Sequence, residues 1–204
     1  MRSAERTQRA LLAAAETEFA EKGLAGARVD LIAGRSGTNK RMLYYYFGSK
    51  EKLYLAVLEQ AYTAMRKAER ELNLTRLDPL EAIKTLVEFK FNYFLKNSTI
   101  IPLLAGENML GAKYLKRSQR LGEMHLSLIK VLHEILSVGE KNGVLKPGID
   151  PLHLYMSISA LSYFYFSNSS TLSTVFGRDL ASPAERKLRQ AHAVEVILDS
   201  VRLR

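Results

Sequence analysis

Apolar residues recur at helical spacing along almost the whole chain. Leu11, Leu12, Ala15 and Phe19 fall three and four positions apart behind a polar start at Ser3, and Gly23 supplies a left-handed stop. Two short helices follow, one marked by Val29, Ile32 and Ala33 and the other by Met42, Leu43, Tyr46 and Phe47, with Gly37 between them and Gly48-Ser49 behind. Ser49 caps a longer helix whose stripe of Leu53, Ala56, Val57, Ala61 and Met65 runs into the charged stretch 66–71. Asp78-Pro79 opens the next helix, which carries Ile83, Val87, Phe91 and Phe94 on one side and ends near Lys96. A loop over 97–102 leads to a short helix at 103–110 stopped by Gly111. A long helix at 114–141, with Leu121, Leu128, Leu132, Ile135 and Leu136, ends at Asn142-Gly143. Pro151 begins an unusually apolar helix containing Leu154, Ile158, Leu161 and the aromatic run 163–166. A Ser-rich linker at 168–182, expected to be mobile, then reaches Pro183 and a last helix. No stretch alternates as a half-buried strand would, so the expected fold class is all-α.

Composition narrows the function. A chain of 204 residues, 47% apolar and 25% charged, is an ordinary globular protein with room for a small domain fused to a medium one. No apolar run reaches the roughly 18 residues of a membrane span, and the first residues lack the apolar core of a secretory signal. The expected setting is the cytoplasm, with no membrane association. Without cysteine there is no disulfide, thiolate metal site or cysteine nucleophile, and the four histidines lack metal-ligand spacing, so neither metal nor cofactor is expected. A formal charge of +9 favours a polyanionic partner, because neutralising phosphates releases condensed counterions. An enzyme is disfavoured by the lack of a Gly-rich phosphate loop, a nucleophile elbow or a paired His–carboxylate motif. A non-specific nucleoid or RNA-binding protein would suit the charge equally well.

The stretch 29–48 separates these readings. Ala33 lets one short helix approach closely, Gly37 takes the positive backbone angle of a tight turn, and Leu43 plugs the second helix into a small core, which is helix-turn-helix register. The remaining face and the residues just after it present Lys40, Arg41, Tyr44, Tyr45 and Lys50, cations for phosphates and long hydrogen-bonding side chains for base edges. One of the three consecutive tyrosines is expected to be structural, since a tyrosine beside a small core often packs into it.

The sequence GTNKRMLYYYFGSKEKLYLAVLEQ at 37–60 resembles the signature of tetracycline-repressor-like (TetR-family) regulators. The likeness extends back to Leu11, Leu12, Ala14, Ala15, Phe19 and Gly23, and to Ile32 and Ala33. The resemblance covers about the first quarter of the chain. It implies an N-terminal three-helix DNA-binding domain at 1–51, a helical-bundle effector-binding and dimerisation domain at 52–204, about nine helices in all, and a homodimer built through the last two. It further implies that Lys40 and Arg41 begin the recognition helix, that Tyr44 and Tyr46 contact double-stranded DNA, and that Lys50 grips phosphate with its charge and with its amide at a helix N-terminus. The chain departs from the family pattern at Arg28, where a capping threonine is common, and at Arg41, where a small residue is common. Arg28 is therefore a further candidate for phosphate. The segment 163–180 is similar to a branch containing regulators of heterocycle and aromatic catabolism.

A small-molecule effector needs a few convergent polar groups in an apolar cavity. Tyr93, Asn108, His125, Tyr155 and Tyr163 are polar residues in otherwise apolar helices and are the candidates for that role.

Overall fold

The computed structural model describes the backbone of residues 2–203 and their side chains except at 2, 3, 119, 120 and 123–125. Nine α-helices occupy the described residues: α1 Arg2–Gly26, α2 Val29–Arg35, α3 Lys40–Phe47, α4 Lys50–Arg70, α5 Pro79–Lys96, α6 Ile100–Met109, α7 Gln119–Lys141, α8 Pro151–Phe176 and α9 Pro183–Val201. Single 3-10 turns stand at Leu74–Arg76 and Leu115–Arg117, and an isolated antiparallel bridge joins Leu145 to Arg202. No helix of the described residues is long and apolar enough to cross a membrane.

Three elements differ from the expectation, each for a local reason. The Ser-rich stretch after Tyr165 is helix as far as Phe176, not a linker. Its hydroxyls bond back to carbonyls within the helix, Thr171 to Asn168 at 2.9 Å and Thr174 to Ser170 at 2.9 Å, so polar composition and helix coexist. The true connection is short and tied down: Leu180 N–H donates to Ser173 Oγ at 3.1 Å, Tyr165 Oη donates to the Leu180 carbonyl, and Arg178 pairs with Glu185 at 2.6 Å. α6 begins ahead of Pro102, which sits in its first turn, where a missing N–H costs nothing. α7 begins at Gln119 and not at Tyr114, because the buried Glu107 carboxylate takes the N–H groups of Tyr114 (2.7 Å) and Leu115 (2.9 Å) and holds them in a turn. At Gly23 the expected break is present, with φ +65°, and one further helical turn follows it.

The chain packs as two compact units. One contains the chain up to Ala64 with Ser98–Gly122, the other Met65–Asn97 with the chain from Glu123 onward. α6 and most of α4 share a core with the helix-turn-helix. In the first unit Leu11, Ala15 and Phe19 of α1 meet Ile32, Leu43, Leu53, Tyr54, Leu58 and Leu103. The Tyr54 ring stands edge-on to Phe19 at 5.1 Å and to Tyr114 at 5.4 Å. Burial, with the Glu107 charge beside it, pushes the Tyr54 phenol well above its ordinary pKa, so it remains a neutral donor. Thr99 Oγ1 donates to Glu16 at 2.5 Å and fastens α6 to α1.

In the second unit α5 is central. Ile83, Leu86 and Val87 pack with Leu132 of α7, Ile158 of α8, and Ala193 and Ile197 of α9. The Lys146 ammonium donates to the Asp199 and Ser200 carbonyls at 3.1 and 2.8 Å, placing a cation at the C-terminal end of α9.

Phe19 is 1% exposed and touches α4 through Tyr54, so Phe19→Ala is expected to destabilise the first unit by about 3–5 kcal/mol. Urea unfolding followed by circular dichroism measures it, and a loss below about 1 kcal/mol would contradict the central packing of this ring.

Candidate nucleic-acid interface

The interface is built from α1 outward. Glu18 on α1 is 1% exposed, and its carboxylate accepts the Arg28 N–H at 3.1 Å while facing the Arg35 guanidinium at 3.2 Å. Arg28 and Arg35 bracket α2, so a single buried charge holds both ends of that helix, with the negative group at its positive end. Arg35 also reaches Glu21 at 3.3 Å.

The turn that follows is held by short-range bonds. Ser36 Oγ donates to the Ala33 carbonyl at 2.8 Å and lies 3.0 Å from the Thr38 hydroxyl, while Thr38 N–H returns to the same carbonyl at 3.0 Å. Gly37 has φ +66°, the left-handed angle this tight turn requires. Asn39 then caps α3, its Oδ1 accepting the Met42 N–H at 3.0 Å. The sequence reading passed over this cap, although a polar Asn before an amphipathic run is a standard start signal.

α3 buries Leu43 and Phe47 and leaves Lys40, Arg41, Tyr44 and Tyr45 outside. Positions 40, 41, 44 and 45 share one helical face. Tyr45 is 77% exposed and Tyr44 47%. Tyr46 is half-buried, with its ring 5.2 Å from Tyr45 and 6.5 Å from Phe47, and it packs against the core. Neither Lys40 nor Arg41 forms an ion pair with a described residue.

The two outlying candidates are engaged within the protein. The Arg28 guanidinium straddles Asp30 at 2.7 and 3.3 Å, a forked pair that raises the arginine's pKa and lowers the aspartate's. Asp30 takes two of the five guanidinium donors and offsets the charge that an anion would meet there. The Lys50 ammonium donates to the Ala25 carbonyl at 3.2 Å, which leaves two of its three protons for an anion. Ser49 Oγ accepts the Lys52 N–H at 3.1 Å and opens α4. Among the described residues no group of His, Asp or Glu side chains is disposed to hold a metal.

A family model for bacterial regulatory proteins of the tetR family matches residues 11–57, and one for the tetracyclin repressor-like C-terminal domain matches residues 79–197. The chain belongs to the TetR family. It is similar to the transcriptional repressor NicS of Pseudomonas putida, 38% identical over 87% of this chain and 84% of the repressor. It is also similar to the transcriptional regulator RutR of Escherichia coli O157:H7, 32% identical over 97% of this chain and 91% of the relative. Among solved structures, a TetR transcriptional regulator from Chloroflexus aurantiacus superposes with a TM-score of 0.74 at 18% identity over the whole of both chains. The ketosteroid regulator KstR2 of Mycobacterium tuberculosis does so at 0.69 and 20%, over 96% of this chain and 94% of that one. These two share the fold. As a TetR-family member the protein is a ligand-responsive, DNA-binding transcription regulator, and α2 and α3 are its helix-turn-helix.

The effector candidates fall in both units. Tyr155 on α8 sits in a buried polar cluster, its hydroxyl accepting from Arg66 at 2.6 Å and Lys90 at 3.3 Å. Tyr163 stacks edge-on against Phe94 at 6.0 Å, and burial raises its pKa. Tyr93 lies against Phe89 at 5.5 Å. Asn108 is exposed on α6, in the first unit. The side chain of His125 lies outside the described residues. Sequence reasoning missed Arg66, Glu69 and Lys90, each at most 3% exposed. The signal was present, since Lys90 falls on the apolar face of α5 beside Val87 and Phe91, and Glu69 continues the α4 stripe from Met65.

Loss of the α3 cap in Asn39→Ala is expected to destabilise the head by about 1 kcal/mol, with Asn39→Asp neutral by comparison. Thermal unfolding of the two variants side by side checks this, and equal melting temperatures would remove the cap from the account.

Proposed function

We propose that this TetR-family regulator is a homodimeric repressor that reads a palindromic operator through α3 and releases it when a small molecule occupies the C-terminal body. The observation carrying this reading is the face of α3: Lys40, Arg41, Tyr44 and Tyr45 stand free while Leu43 and Phe47 hold the helix from behind. Residues 1–51 are assigned to DNA reading and 52–204 to effector binding and dimerisation. Arg41 and Tyr44 address base edges; Lys40, Lys50 and, on release from Asp30, Arg28 address phosphates. Tyr45 extends the contact, and Tyr46 contributes from its packed position.

Dimerisation through α8 and α9 is supported by the apolar side chains those helices leave outside: Met156, Phe164, Phe176 and Leu188 are each more than half exposed. A two-fold protein places two α3 helices in successive major grooves about 34 Å apart and so selects two-fold DNA. Repression is supported by the function for which the relative NicS is named. Release follows when the effector binds more tightly to a state whose α4 presents the heads at a different spacing, and the shift is limited by that difference in affinity. The setting is the cytoplasm, where the operator lies.

Selection of bound duplexes from a random library at moderate salt is expected to enrich a palindrome. Arg41→Ala and Tyr44→Ala should lose or alter it, at about 1–3 kcal/mol for each base contact. Lys40→Ala should weaken all sequences alike and reduce the salt slope by about 1. Uniform recovery of the library would leave a general polyanion binder.

Replacing both Phe164 and Phe176 with Glu is expected to convert the dimer to a monomer in sedimentation velocity, because four charges would be forced into one apolar contact. An unchanged dimer would place the interface elsewhere.

A further inference from the structure

Among the described residues, the second unit contains a buried charge imbalance. Arg66 Nη1 donates to Glu69 Oε2, and Lys90 Nζ lies 2.6 Å from Glu69 Oε1. Two cations thus share one carboxylate, and all three side chains are at most 3% exposed. Tyr155 offsets part of the excess with its hydroxyl lone pairs, which accept from both cations, and with its ring, whose centre is 5.3 Å from the Arg66 guanidinium and 4.8 Å from the Lys90 ammonium. Burial raises the Tyr155 phenol, but Lys90 and Arg66 together outweigh it and hold the group below its ordinary pKa. The remaining donor of Lys90 points at Met65 Sδ, 3.7 Å away, a weak acceptor. Arg66 Nε is buried and has no hydrogen-bond partner among the described residues.

Arg66 and Glu69 also line a cavity of about 200 Å³, with Leu128 and Val131 of α7 as its apolar wall and Arg70 and Asn73 among its polar lining. A dry cavity of about 150 Å³ accepts a benzene ring, so this one has room for a single ring and one small substituent. A buried positive charge without a counter-ion is costly to keep out of water, and an anion brought beside it recovers much of that cost.

We propose that this cavity is the effector site and that the Arg66–Glu69–Lys90–Tyr155 cluster selects a single-ring carboxylate. The inference rests on the reading of the C-terminal body as effector-binding. The carboxylate supplies the missing counter-charge and an acceptor for the Arg66 donor that has none, while Leu128 and Val131 cover the ring. A neutral isostere fills the same volume but leaves the excess charge uncompensated, so discrimination comes from the cluster and not from shape.

The test titrates the full-length protein by calorimetry with benzoate and 4-hydroxybenzoate, each beside its amide. The carboxylates are expected to bind at least tenfold tighter than the amides. Arg66→Gln leaves Glu69 paired with Lys90 alone, and in that variant the preference should fall to within about threefold. The comparison of acid with amide uses the unaltered protein and stands even where the variant fails to fold. Equal or inverted affinities, or no saturable binding of either carboxylate, overturn the proposal. The same probes are then added to the protein bound to its selected operator, which separates the two readings. A neutral ring that releases the DNA while the acids do not overturns anion selection and leaves effector control standing. A carboxylate that binds with the expected preference but leaves operator affinity unchanged supports the anion site and overturns its role in release.

Discussion

Helices of seven and eight residues do not persist in water unaided, because the first turn fixes several residues in exchange for one hydrogen bond and too few further turns follow to offset it. α2 and α3 are of this length, and everything the head does depends on holding them in place. The hold comes from three directions. Leu43, Phe47 and Ile32 sink into the core formed by α1 and α4; Asn39 satisfies an N–H at the start of α3; Glu18 reaches from α1 to the Arg28 amide and to Arg35. Because these ties all lie behind or at the ends of the helices, the outer face of α3 is free of structural duties. That division lets Lys40, Arg41, Tyr44 and Tyr45 vary in chemistry without changing the fold.

Glu18 and the cluster around Glu69 show two uses of a buried charge. Glu18 faces a backbone N–H and an arginine that is still 42% exposed, so its charge is balanced locally and braced partly by solvent. It fastens two helices. The second-unit cluster is withdrawn from water at every charged member and is unequal in count, with two cations to one carboxylate. A buried ion pair is weak evidence for stability, since desolvation offsets most of the Coulomb gain. An unequal cluster is weaker still as a structural device. In the proposed anion site, its position beside a cavity gives the imbalance a use that a purely apolar core at the same place would lack.

The exposed apolar side chains of α8 and α9 follow the same logic of unfinished surface. Phe164 of α8 and Leu188 of α9 remain in water on helices whose opposite faces are well packed, with Ile158 and Ile197 nearly fully buried. Soluble chains rarely leave several large apolar groups outside on neighbouring helices without a partner to cover them.

The helical class, the position of the helix-turn-helix and the identity of its outer residues could be read from residue spacing, because amphipathic period and turn chemistry are local properties. Gly37 and Leu43 carry their meaning within a few residues on either side. The Ser-rich end of α8 misled for the same reason: composition alone does not reveal that hydroxyls bond back into their own helix. Three matters depended on contacts between residues far apart in sequence. Which of three consecutive tyrosines packs inward, Tyr46, was decided by the core beneath α3. That Glu18 braces α2 depends on α1 lying beside it. The joining of Arg66, Glu69, Lys90 and Tyr155 spans about ninety positions, and no window of the sequence contains all four. Burial and charge balance are properties of an assembled interior, so this buried cluster is defined only once α4, α5 and α8 are packed together.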